Sequence, residues 1–324
     1  MSHLTRAGLF AAALSLTGPA VAQQAWDMPT PYADAIFHTQ NILQFADDVR
    51  EATGGNLNIT VHSANSLFGH AEIRDAVRDG LVPIGEFLLS RLANEDPIFA
   101  LDSIPFLASS YDDAERLWEA SRDAVSERLG QQGLTVLYAV PWPGQSLYLR
   151  RDITDPADMA GLSFRAYNVA TERLAQLLGA TPTQVEETDI PTAFSTGRVE
   201  AMITSPSTGA NAQAWDFTTH YIDTQAWLPK NIVVVNTDAF EALSDDDRAA
   251  LLAAAEAAET RGWEMSRAET AEKIAALEAG GMIVSQPSEA LAARLQEIGA
   301  TMTAEWEATA GPDGAAVVEA YRNQ

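Results

Sequence analysis

The sequence predicts an α/β protein built as two lobes, with mainly parallel sheets and helices on both faces. Three observations carry that reading. Short apolar strands alternate with helical segments, 324 residues are enough for two lobes, and one helical run is longer than a small lobe is wide. The composition is that of a water-soluble globular protein, 47% hydrophobic and 8% aromatic. A formal charge of −25 argues against nucleic acid as a partner, because phosphate binding needs a basic face. It argues equally against an anionic membrane surface. The chain has no cysteine, which excludes disulfides, thiolate nucleophiles and Cys-ligated metals.

The elements follow in order. Residues 1–22 read as a secretory signal: Arg6, then the apolar run Ala7–Leu16, then Ala20-Val21-Ala22 before Gln23. The apolar run is too short to span a bilayer, which takes about 20 residues. No later stretch approaches that length, so an exported, soluble chain with no membrane insertion is expected. Asp34–Ala52 carries Phe37, Ile42, Phe45 and Val49 at helical spacing and stops at Gly54-Gly55. Asn56–His62 alternates as a strand, His70–Arg78 is a short helix, and Leu81–Ser90 is a strand with Pro83 near its start. A helix over Asp112–Leu129 precedes the strands Leu134–Val140, Leu147–Arg150 and Gly161–Tyr167. Helices follow at Val169–Leu178 and Ile190–Thr196, then the strands Val199–Ile203 and Ile232–Val235.

The most informative segment is Ser244–Ala279. Ser244 is a helix cap, and Asp245, Asp246 and Asp247 fill the first turn, where the helix dipole favours anions. The run contains no proline and a single glycine, Gly262, so one helix roughly 50 Å long is expected across both lobes. Two helices broken at Gly262 are the alternative.

The sequence motifs of hydrolases, zinc proteases and nucleotide-binding loops are missing, and the histidines show no i,i+4 pair to hold a metal. No catalytic residue, cofactor or metal is therefore expected. Carboxylate pairs such as Glu186-Glu187 read as solvated faces in so acidic a chain. What remains is a set of polar residues at strand ends. Arg165 stands in GLSFRAYN, a strand otherwise fit for burial, and its planar fork suits a carboxylate. An internal salt bridge to a nearby acid is the alternative. Thr204, Ser205 and Thr208 lie in a hydroxyl-rich loop after a strand, a place where open α/β folds bind ligands and where unused backbone N–H groups hold an oxyanion. Trp142 and the Trp227–Asn231 segment offer aromatics beside polar groups, as pocket walls or as packing at a hinge. Glu86, mid-strand among apolar neighbours, is placed to meet a ligand amine or hydroxyl, or to pair with Arg165 when no ligand is present. Tyr32, Tyr167 and Asn231 complete the candidate set.

Seven segments in order and spacing resemble one family. They are FADDVREATGG from Phe45, AVRDG from Ala76, Ile104-Pro105-Phe106, DMAGLSFR from Asp158, GATPT from Gly179, TAFSTGRVE from Thr192, and the long helix. The chain resembles the solute-binding subunits of TRAP transporters, the DctP-like extracytoplasmic receptors. The resemblance implies a two-lobed periplasmic binding protein, type II-like, with crossing hinge strands and a long helix spanning both lobes. It implies lobe I over 23–143 plus 230–265, and lobe II over 144–229 plus 266–324. It further implies a small organic-acid ligand, a carboxylate or a sulfonate, held by Arg165 in the interlobe cleft. Delivery to small and large membrane subunits from the periplasm, by a monomer without cofactor, completes what the family suggests. Two departures bear on the ligand. The place of the family's Glu-Asn pair is taken by Ile203-Thr204 followed by Ser205, so hydroxyls stand where an amide touches ligand. The second arginine of sialic-acid binders falls near Gln145, with Arg150 close by. A secreted hydrolase or a ligand-sensing module on the same fold stays open at this level.

Overall fold

The structure, a computed structural model, describes residues 23–324, so the expected signal at 1–22 lies outside the described residues. The first lobe is built from β1 (Gln24–Pro29), α1 (Phe37–Ala52), β2 (Leu57–His62), α2 (His70–Arg78), β3 (Ile84–Leu88), α3 (Tyr111–Gly130) and β4 (Leu134–Pro141). The second contains β5 (Ser146–Leu149), β6 (Ser163–Ala166), α4 (Val169–Leu177), β7 (Thr181–Gln184), α5 (Ile190–Ser195), β8 (Ala201–Thr204), α6 (Pro206–Asn211) and β9 (His220–Ile222). The chain then returns as β10 (Lys230–Asn236) and α7 (Thr237–Glu241). It ends with α8 (Asp245–Ala279), β11 (Ile283–Ser285) and α9 (Glu289–Arg322).

The sheets correct the expectation of mainly parallel pairing. In the first lobe β1 pairs β2 in parallel, but the sheet β3-β10-β4 is antiparallel throughout. The second lobe has a mixed sheet, β11-β9-β5-β8-β6-β7, in which β5 runs antiparallel to both neighbours. The reason is the double crossing of the chain. The outgoing segment after β4 and the returning segment before β10 must run in opposite directions, and β10 comes back between β3 and β4. The two crossings are stitched by backbone bonds: Trp142 N–H donates to Pro229 O (2.8 Å), Gln145 N–H to Trp227 O (2.9 Å) and Ala226 N–H to Gln145 O (2.8 Å). Beside them the fully buried Lys230 faces Asp102 at 3.8 Å, and its N–H donates to the same carboxylate (2.8 Å).

Ser244 caps α8 by accepting from Asp247 N–H, and the helix continues unbroken for 35 residues, about 52 Å. Gly262 is a point of close approach rather than a bend. A Cβ there would lie 2.4 Å from Val140 Cγ2 and 2.8 Å from Asn41 Nδ2. That approach lets α8 lie on α1 and β4 before it passes to α6 in the second lobe. No reading covered α9, which is a long helix interrupted at Gly311 (φ 64°, ψ −164°) and Pro312. Its last part, with Trp306, Val317, Val318 and Tyr321, packs into the core formed by α3 and the antiparallel sheet. No helix among the described residues is long and apolar enough to cross a membrane.

Candidate functional site

Where the lobes meet, a cavity opens with about 430 Å³ of space, part of it open to solvent. Arg165, Tyr167, Thr204, Ser205 and Thr208 line it from the second lobe, Tyr32 and Trp142 from the first. Seven of the ten residues picked from sequence thus converge. The other three, Glu86, Asn231 and Trp227, are buried but lie outside the cavity lining.

Arg165 projects from β6, the next-to-last strand of the second-lobe sheet, between β8 and the edge strand β7. Its neighbours Phe164 and Ala166 are buried, and so is Arg165 itself, 3% exposed as a residue. Nε donates to Val185 O (3.0 Å), which fixes the plane of the group, while Nη1 is buried without a partner. The guanidinium lies 5.0 Å from the centre of the Tyr167 ring, a cation–π arrangement. Burial lowers its pKa, and the charges of Tyr167, Glu187 and Glu186 oppose that effect. Arginine stays protonated in such settings, so the cavity contains a desolvated cation with an unspent donor. The internal salt bridge is not formed: no carboxylate lies within 4 Å of this guanidinium among the described residues. The alternative of a pairing with Glu86 is not formed either.

Glu86 is held elsewhere. Thr30 Oγ1 donates to Oε2 (2.6 Å), Asn231 Nδ2 donates to Oε1 (3.0 Å), and His38 Nδ1 lies 3.5 Å from Oε1. Burial pushes the carboxyl up to about 7, against the pull of the Thr30 and Asn231 donors. Asn231 passes the order on: its Oδ1 accepts from Trp142 Nε1 (2.9 Å) and from Tyr32 OH (3.2 Å). These two rings pack edge to face at 5.0 Å and form the first-lobe wall. Glu86 and Asn231 therefore sit behind the wall and orient it. On the register of the antiparallel pair, Asn231 stands opposite Leu88 and Glu86 opposite Val233, which brings the two polar side chains together across adjacent strands. Trp227 is fully buried next to the Tyr167 hydroxyl, with Nε1 unpartnered. Tyr167 OH donates to Gln145 Oε1 (2.9 Å).

The hydroxyl cluster is more ordered than a loop. Ser205 caps α6, accepting from Thr208 N–H (3.0 Å), and Gly209 N–H donates to Ser205 O (3.1 Å). Two of the backbone donors expected to be open are thus already used. The segment reads as a loop because Ser, Thr, Pro and Gly are turn formers, yet Pro at the first helical position with Ser at the cap is equally a helix start.

Sequence reasoning missed His70, Leu88, Arg91, Gln145, Glu186, Glu187 and Pro229, all on the cavity. Glu186 and Glu187 are half-exposed, as expected, but they also line the cavity. They follow β7, the strand beside β6, and so stand at the strand ends that face the first lobe. Arg91 Nη1 reaches across to both oxygens of Glu186 (3.1 Å each), and Asn168 Nδ2 donates to Ser90 Oγ (2.9 Å). These bonds link the lobes across the cavity mouth. Burial, and secondarily Arg91, keeps the His70 pKa well below its usual value. Arg150 turns away to Phe194, donating to its carbonyl. For three of them the available signal was spacing: Arg91 lies shortly after β3, and Glu186 and Glu187 lie shortly after β7, as Ser205 does after β8.

Comparison with known proteins gives a consistent picture. The family model described as bacterial extracellular solute-binding protein, family 7 (DctP), matches residues 33–309. Among solved structures, DctP7 of Bordetella pertussis, an extracytoplasmic solute receptor binding pyroglutamic acid, is 45% identical. Its TM-score is 0.91, covering 92% of this chain and 99% of that one. A marine metagenome TRAP solute-binding protein specific for pyroglutamate is 42% identical with a TM-score of 0.92, covering 94% and 100%. A curated solute-binding protein of Roseobacter denitrificans is 24% identical over 255 residues, 74% of each chain.

Proposed function

This chain belongs to family 7 of the bacterial extracellular solute-binding proteins, and we propose that it captures pyroglutamate, or a closely similar small organic acid, in the cavity between its lobes. The observation that carries the reading is the buried Arg165 guanidinium, facing the cavity with Nη1 unpartnered. A desolvated donor of this kind is satisfied by an anionic oxygen, and the planar fork suits a carboxylate. The acid bound by the receptors that are 42–45% identical supports the choice of pyroglutamate.

In this reading Arg165 binds the carboxylate, Tyr167 stacks beneath the guanidinium, and Tyr32 and Trp142 close over the ligand from the other lobe. The hydroxyls of Thr204, Ser205 and Thr208 meet its remaining polar atoms. Closure is a hinge motion at the paired crossings near Trp142–Gln145 and Ala226–Pro229, and the ligand favours the closed state because it touches both lobes. Lobe I comprises 23–143 plus 230–265 and lobe II 144–229 plus 266–324, with the end of α9 returning to pack on lobe I. The loaded receptor works in the periplasm and hands its ligand to small and large TRAP membrane subunits. It performs no catalysis, and the family's role as solute receptors weighs against a secreted hydrolase. Titration calorimetry on the ligand-stripped protein tests the reading. A dissociation constant in the micromolar range or tighter for pyroglutamate is expected, worth about 8 kcal/mol or more. No heat of binding at millimolar pyroglutamate overturns it.

A further inference from the structure

Arg165 is not the only group of the cavity with unspent hydrogen-bonding capacity. Glu187 lines the same cavity and its carboxylate enters no hydrogen bond or ion pair among the described residues, whereas its neighbour Glu186 is engaged at both oxygens by Arg91. Burial raises the Glu187 pKa, and Arg165 is the charge that pulls it back down. The two groups are near enough to feel one another yet do not approach within 4 Å. Between them is room for a molecule that offers an anionic oxygen to the guanidinium and a hydrogen-bond donor to the carboxylate. An acid lacking such a donor leaves a partly desolvated carboxylate unpaired, and a second carboxylate on the ligand meets like charge.

We propose that Glu187 is the specificity-determining residue of the cavity: it accepts an N–H or O–H that the ligand carries next to the carboxylate held by Arg165, and so selects donor-bearing acids against donor-free acids and dicarboxylates. The inference rests on the acid-binding reading above. It explains how a strongly acidic protein places a carboxylate beside its anion site without defeating it. In pyroglutamate the lactam N–H is on the ring atom adjacent to the carbon bearing the carboxylate, where one molecule spans both groups.

The test compares pyroglutamate with 5-oxotetrahydrofuran-2-carboxylate, in which a ring oxygen replaces the N–H and the shape and charge are kept. Calorimetric titration of the ligand-stripped full chain is expected to favour pyroglutamate by at least about 100-fold, the size of discrimination reached when a built acceptor is left facing an acceptor. In Glu187→Gln the side-chain amide both accepts and donates, so the preference falls below about tenfold. The melting temperature of unloaded Glu187→Gln, matching that of the unaltered chain, shows that the fold is intact. A preference within threefold in the unaltered protein, or one unchanged in Glu187→Gln, overturns the role of Glu187 and leaves acid binding standing. Binding of neither acid overturns the proposed ligand, and the selectivity inference falls with it.

Discussion

The two walls of the cavity treat their buried polar groups in opposite ways. On the first-lobe side, Glu86, Asn231, Tyr32 and Trp142 form a chain in which each side chain finds a partner inside the protein. On the second-lobe side, Arg165 spends Nε on Val185 O and leaves Nη1 with nothing, and beside it the half-buried Glu187 carboxylate stands unpaired. A buried polar group without a partner costs about 1–3 kcal/mol, more when charged. The first wall has spent its polar groups on its own shape. The second keeps them in reserve, and an incoming molecule recovers that cost. The contrast separates residues that orient the site from residues that bind.

The largest effect that would break this contrast is on Arg165. Arg165→Ala should weaken binding by about 2–5 kcal/mol, roughly 30- to several-thousand-fold, while the unloaded protein loses no more than about 1 kcal/mol of stability. Arg165→Lys should rescue poorly, because an ammonium cannot reproduce the fork. A loss of less than threefold by calorimetry would contradict the binding role. The mirror image applies to Asn231→Leu. It strands the Tyr32 hydroxyl, the Trp142 indole and one oxygen of Glu86, so chemical denaturation should register a loss of about 2–4 kcal/mol. Affinity should suffer less than in Arg165→Ala; the reverse order would merge the two walls into one.

The smallest effect is a pH dependence that sharpens the role of Glu86. Its carboxyl is pushed up to about 7 in the folded protein from an ordinary value of 4.5, so the folded state holds a proton that the unfolded chain releases. Stability from this group is full below pH 4.5 and declines as pH rises towards 7. The neighbouring His38, kept neutral by burial, acts in the opposite sense below its ordinary value of 6.5. In Glu86→Gln the carboxyl penalty disappears. The variant should therefore gain about 1–3 kcal/mol relative to the unaltered protein between pH 5 and pH 8, read from thermal melts. A constant difference across that range would show that Glu86 does not titrate there.

Much of this was legible in the sequence because burial and charge collide visibly at one residue. An arginine between Phe164 and Ala166 in an apolar strand demands an explanation, and the proline-free run from Ser244 to Ala279 demands a long helix. The pairings that build the hinge left no such mark. Glu86 and Asn231 meet across 145 residues of chain, and no local pattern announces that β10 returns between β3 and β4. β7, with the sequence TPTQ, has a proline and no buried residue, so its strand character comes from pairing with β6 rather than from its own apolar pattern. Glu186 and Glu187, just beyond it, were hidden with it among the many acids of the surface. Arg91 was hidden for the same reason on the other side, in a 3-10 turn after β3.

A crystal structure of the chain grown with pyroglutamate tests the central claim most directly. The ligand carboxylate should accept a hydrogen bond from Arg165 Nη1 inside the cavity, with Asn231 still bonded to Tyr32 and Trp142 as it is here. A ligand whose carboxylate is taken by Arg91 or by solvent, with Arg165 Nη1 still unpartnered, would contradict the account.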